Sequence, residues 1–153
     1  MKTMNLCYAL FIACALNLNL AHAEKFFTPD QDKEGIDATS EIVEGLPDVL
    51  IIGDSISIGY TKPTIELLKG IANVQRAPAN CGDTNRGLKS LKKWLGSTSW
   101  DVIHFNFGLH DLCYRHPNSK VQGNRDKIRG SQGVPLAQYE KNLEKLVLRL
   151  KAT

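Results

Sequence analysis

The sequence predicts an α/β fold, a parallel sheet flanked by helices, and two strand-like runs carry that prediction. Val49 to Ile52 is a continuous apolar run that ends in Gly53-Asp54-Ser55, and Trp100 to Phe107 is a second run that ends in Gly108-Leu109-His110-Asp111. Between and after them lie segments with helical spacing of apolar residues. Buried parallel strands read as unbroken β-branched and Leu runs, and alternation with helices is the mark of a parallel sheet with right-handed crossovers.

Each element follows from local chemistry. After the first strand, Thr64 to Ala72 places Ile65, Leu67, Leu68, Ile71 and Ala72 at helical spacing, with Pro63 near the start. A short strand is expected at Asn73 to Arg76. Pro78 to Asp83 reads as a loop, and Thr84 or Asn85 caps a helix carrying Leu88, Leu91, Trp94 and Leu95, closed by Gly96. The third strand follows. Residues 114 to 135 are rich in Gly, Asn, Arg, Lys and Pro and read as a long surface loop or lid. Tyr139, Leu143, Leu146, Val147 and Leu150 then repeat as a helix within Leu136 to Lys151.

The first residues are read as a targeting segment. Lys2 gives a positive start, Leu6 to Leu20 is apolar but broken by Asn17 and Asn19, and Ala21-His22-Ala23 has the small-x-small form of a cleavage site. The stretch is short and interrupted for a bilayer span. The expected organisation is a signal peptide over 1–23, an arm or linker over 24–47 and a domain over 48–153, with the mature protein periplasmic or secreted and touching a membrane only during export. Of four cysteines, Cys7 and Cys14 fall in the signal. Cys81 and Cys113 remain, in a compartment that permits disulfides. The formal charge is +3 and the basic residues are scattered, apart from Lys89, Lys92 and Lys93 on one presumed helix face. No aromatic residues interleave with them, so no nucleic-acid partner is expected.

The chemistry is expected where the strands end, because open α/β sheets collect their sites beyond the carboxyl ends of the strands. Ser55 stands at such a place. A lone Gly-Asp-Ser is equally a strand-to-helix turn in which Asp54 or Ser55 caps the next helix. Two further loops should share its edge: Cys81-Gly82-Asp83 and Gly108-Leu109-His110-Asp111. Neither a Gly-x-Gly-x-x-Gly nor a Walker-type loop follows any strand, which disfavours a nucleotide-binding domain. Ser57 stands where the nucleophile elbow of α/β-hydrolases has glycine.

Together the three loops resemble the first three sequence blocks of the SGNH hydrolases, or GDSL-type esterases, over roughly residues 48 to 150. The resemblance implies a three-layer α/β/α, flavodoxin-like sheet and an exported serine hydrolase acting on small-molecule or carbohydrate esters, carbohydrate acetyl esters being one candidate, with no metal and no cofactor. By that resemblance Ser55 is the nucleophile and Gly82 an oxyanion donor. Asp54 is structural. His110 stands at the position of the family's asparagine and takes the oxyanion role through an imidazole N–H, the alternative being a surface histidine at a strand end. Asp111 anchors its loop. Negative charge develops on the carbonyl oxygen as serine attacks, which is why such donors matter.

One part of the family pattern is missing at its usual place. Members carry a late Asp-x-x-His whose histidine accepts the serine proton. This sequence is read as holding no such motif, with none of His104, His110 and His116 expected to follow an aspartate at the right offset, so the catalytic Asp and His are read as absent, and the sequence is expected to be the N-terminal portion of a longer esterase domain. The competing reading is a binding or remnant protein that keeps the pocket without turnover. His104, on the same strand face as Asn106, is read as a structural group, and His116 as a loop residue. Cys81 and Cys113, each beside a proposed site element, are expected to form a disulfide, the alternative being two unpaired thiols.

Overall fold

The computed structural model describes residues 38–120 and 125–153. The expected signal peptide and most of the expected arm lie outside the described residues. A three-stranded parallel sheet forms the centre, in the order β2-β1-β3, with β1 at Asp48–Ile52, β2 at Asn73–Arg76 and β3 at Val102–Phe105. Among the described residues four helices follow in chain order: α1 (Ser55–Leu67), α2 (Thr84–Leu95), the one-turn α3 (Leu109–Leu112) and α4 (Leu136–Leu150). A two-stranded antiparallel ribbon, β4 (Tyr114–Arg115) with β5 (Ser131–Gln132), occupies the expected long loop.

Period-two alternation in β1 divides the interior into two cores. Leu50 and Ile52 point to one face and pack with Leu91 and Trp94 of α2 and Leu146 of α4. Val49 and Ile51 point to the other, where Ala72, Val74, Tyr60, Ile65 and Leu68 meet them. Helices therefore cover both faces, giving three layers. Because all three strands run parallel, the loops after them emerge at one edge. The strand order places a topological switch between β1 and β3, where ligands of open α/β sheets settle.

The helix after β1 differs from the expected Thr64–Ala72. It begins at Ser55 because Asp54 caps it, its carboxylate accepting the Ile56 N–H at 3.0 Å, and Pro63 lies inside it. Its buried positions are Ser57, Ile58 and Thr61. The two hydroxyls are satisfied on the helix's own carbonyls, Ser57 Oγ donating to Asp54 O and Thr61 Oγ1 to Ser57 O, both at 2.7 Å. A helix that buries hydroxyls leaves little apolar period to read. Helix α2 starts where expected but its cap is Asp83, which accepts the Arg86 N–H at 2.9 Å, rather than Thr84 or Asn85.

Residues 38–47 are not a free arm. Thr39 bridges to Gln75, and Ser40 exchanges two bonds of 2.8 Å with Val74, so the segment covers the outer edge of β2. Buried Asn73 fixes its return, accepting the Val43 N–H and donating to Val43 O, Leu46 O and Asp48 Oδ1. Among the described residues β3 has no strand on its outer side, and Val102 is 51% exposed. No helix among the described residues is long and apolar enough to cross a membrane.

Leu146 is 1% exposed and joins α4 to the core shared by β1 and α2. Leu146→Ala is expected to lower unfolding stability by about 2 to 5 kcal/mol. Urea denaturation checks it, and a loss under about 1 kcal/mol would show that α4 contributes little to this core.

Candidate functional site

The site is built around Asp54, 1% exposed at the carboxyl end of the central strand. Its Oδ1 accepts from Ile56 N at 3.0 Å and from Asn106 Nδ2 at 3.2 Å. Its Oδ2 faces His110 Nε2 at 3.7 Å. Asn106 and His110 both follow β3, so the buried carboxylate closes the switch point between β1 and β3. The glycine before it is obligatory, since a Cβ on Gly53 would collide with Asn106 Oδ1.

Hydrogen-bond chemistry orients this cluster. Arg115 Nη2 lies 3.3 Å from His110 Nδ1, and a guanidinium can only donate, so Nδ1 accepts and the imidazole proton sits on Nε2, toward Asp54. On the other side, the Tyr60 hydroxyl donates to Asn106 Oδ1 at 2.9 Å, and the Tyr60 hydroxyl oxygen is itself 2.9 Å from His104 Nε2. With its one proton on Asn106, Tyr60 accepts from His104. The donors thus converge from both flanks onto Asp54. Burial pushes the Tyr60 hydroxyl up to about 12, against the opposing pull of Arg76, so it stays a donor.

Arg76 closes the floor of the site. It is buried at the end of β2, where Nη1 donates to Ala77 O at 2.7 Å and Ala79 O at 2.8 Å, and Nη2 to Gly53 O at 3.0 Å and Ser57 Oγ at 2.9 Å. One guanidinium therefore joins the loop after β1 to the loop after β2. Sequence reasoning missed both Arg76 and Asn106. Arg76 ends β2 and Asn106 directly follows β3, so a polar residue at a strand's carboxyl end was the available signal.

Ser55 is exposed at the first position of α1, and Ser55 Oγ makes no hydrogen bond among the described residues. Gly82 lies in the neighbouring loop with φ +63°, a conformation only glycine adopts without strain, but its N–H donates to Asn80 Oδ1 at 3.1 Å. His110 directs its N–H at Asp54 rather than outward. Asp111 does anchor its loop, with Oδ1 accepting from Thr84 N at 2.9 Å and from Thr84 Oγ1, while Asn142 of α4 donates to Thr84 Oγ1 at 2.9 Å. The loops after β2 and β3 and the last helix are joined there.

Two expectations are corrected. Cys81 and Cys113 are not bonded to each other. Cys81 is buried and directs Sγ at Ala79 O, with burial pushing its thiol up, whereas Cys113 Sγ accepts from Arg115 Nε at 3.0 Å. The sequence also does contain one Asp-x-x-His spacing, Asp101 to His104, which the expectation of none at a suitable offset overlooked. It spans β3: Asp101 Oδ2 accepts the Asp48 N–H at the amino edge of the sheet, while His104 meets Tyr60. The pair is not arranged as base and orienter. His116 Nδ1 accepts the Asn118 N–H in the loop after β4.

Arg76→Met is expected to destabilise the domain by about 3 to 5 kcal/mol, since it orphans buried acceptors and leaves Asp54 without its nearby cation. Urea unfolding checks this, and a change under about 1 kcal/mol would remove Arg76 from its structural role. A second expectation concerns pH. Partial desolvation lowers the pKa of His104, whose residue stays exposed on β3, below its ordinary 6.5, so protonation favours the unfolded chain. The stability tied to this group is full above the ordinary value and is lost as pH falls through the lowered one. An NMR titration of the His104 ring should show a midpoint below 6.5; a midpoint above it would contradict the assignment.

No protein-family model, no curated protein and no solved structure matches the chain.

Proposed function

We infer that the chain carries the nucleophile and oxyanion part of an SGNH-type serine hydrolase site acting on esters. The observation that carries this reading is the position of Ser55. It is exposed at the amino end of α1, directly after the central strand, beside a buried aspartate that joins the two loops flanking the switch point. The strand order β2-β1-β3 is compatible with the start of a flavodoxin-like sheet, the layout of that family, and so supports the reading.

In this mechanism Ser55 Oγ attacks the ester carbonyl, and the alkoxide oxygen formed is stabilised by N–H groups near the end of β1. The helix amino end favours negative charge there. Gly82 N–H serves once it exchanges Asn80 Oδ1 for the oxyanion. His110 N–H serves if it turns from Asp54, so its contribution is smaller than that of a donor already aimed. The acyl group passes to Ser55 and the alcohol leaves with a proton. Water then attacks the acyl-serine, giving the carboxylic acid and free serine.

The proton acceptor is the demanding part, because serine is a weak nucleophile at its own pKa. With His104 and His116 engaged elsewhere, an added base should act on Ser55. The test is labelling by a fluorophosphonate, followed by peptide mass analysis with and without imidazole. Labelling of Ser55 is expected, slow alone and about tenfold or more faster with imidazole, given that general base catalysis contributes about a hundredfold or more. His110→Ala should slow it further. Equal labelling of a Ser55→Ala protein, or no Ser55 labelling with imidazole present, would overturn the reading.

A further inference from the structure

Helix α3 carries His110 toward Asp54, and other residues of the same turn face a cavity that the proposed reaction does not use. Leu109, Leu112, Cys113 and Tyr114 line a concavity of about 570 Å³, together with Arg125 and Lys127 from the segment before β5. That volume is within the range of small-molecule sites, and the walls are apolar, as such sites require. Leu109 is 39% exposed and Tyr114 42%, so apolar surface here is open to a ligand.

The charges at this cavity are of one sign. Arg125 and Lys127 are exposed, and neither makes an ion pair or hydrogen bond among the described residues. The carboxylate between them in sequence is used elsewhere: Asp126 accepts from Ile128 N, Arg129 N and Arg129 Nε, at 2.9 to 3.1 Å. Those backbone donors, that of Arg129 foremost, hold the Asp126 carboxyl below its ordinary range. The turn therefore neutralises Arg129 and leaves two cations at the rim of an apolar concavity.

We propose that this cavity binds an organic carboxylate with an apolar body, its hydrocarbon against Leu109, Leu112 and Tyr114 and its carboxylate facing Arg125 and Lys127. The assignment rests on the hydrolase reading only in making this ligand part of the substrate, which would then be an ester bearing negative charge beside an apolar group. Arg125 is suited to a carboxylate by its planar fork, and Lys127 adds a point charge.

The test is binding, read without turnover. The protein is titrated with 4-phenylbutyrate and with its uncharged amide, by calorimetry and by NMR of the Leu109 and Leu112 methyls. The acid is expected to bind about fivefold or more tighter than the amide, in keeping with two exposed charge contacts. The methyls of both leucines should shift. In Arg125→Gln/Lys127→Gln the advantage of the acid should vanish while the affinity for the amide holds. Equal affinity for acid and amide, an advantage that survives in the double variant, shifts confined to other residues, or no binding of either compound would each overturn the assignment. Binding as expected without labelling of Ser55 would overturn the hydrolase reading alone.

Discussion

The buried guanidinium of Arg76 is the interaction on which the site edge depends. A cation this deep is tolerated only where hydrogen bonds replace water, and here those of Nη1 and Nη2 go to carbonyls of two different loops and the Ser57 hydroxyl. The same contact places positive charge at the amino end of α1, where the helix dipole already disfavours it. Asp54 offsets both. Its buried carboxylate caps the helix while its backbone carbonyl lies 3.4 Å from Arg76 Nη2, so the strand end, the helix start and the loop after β2 form one electrostatic unit.

From that unit the hydrogen bonds spread in a fixed direction. Asp54 accepts from the helix backbone and Asn106, and faces the His110 N–H, and the partners of Asn106 and His110 are in turn set by Tyr60 and Arg115. Reversing any one proton would place two donors or two acceptors against each other. This orientation holds Ser55 by its neighbours rather than by a bond of its own. It leaves the hydroxyl exposed, as a nucleophile requires, and keeps the imidazole of His110 occupied.

A second polar group secures the other side of the edge. Asp111, Thr84 and Asn142 are all buried and linked in sequence of donation, and Asn142 also donates to Asn85 Oδ1 at 2.8 Å. Helix α4 is therefore more than a cover for the apolar face of α2. It reaches the loops after β2 and β3 and limits how far they move apart. Asp111 Oδ2 is buried without a hydrogen-bond partner among the described residues, a cost that this polar group carries.

The sequence by itself determined the three strands of the parallel sheet, helices α2 and α4 and the edge at which the three loops meet. The apolar run Val49–Ile52 and the repeat through Leu143, Leu146, Val147 and Leu150 are local records of burial. The tertiary structure decided what depends on distant partners. The start of α1 was hidden because its inward face carries Ser57 and Thr61, whose hydroxyls are tolerated only by bonding back to their own helix. Arg76 and Asn106 look like ordinary polar residues until the parallel register brings Gly53 and Asp54 against them. The spacing of Asp101 and His104 suggested nothing about their separation, because a strand carries the first to one edge of the sheet and turns the second toward Tyr60. Cys81 and Cys113 were paired by elimination, whereas the fold gives one thiol a buried carbonyl and the other a guanidinium. A pattern along the chain reports which face a residue buries; which group waits for it there is set by strand register and packing.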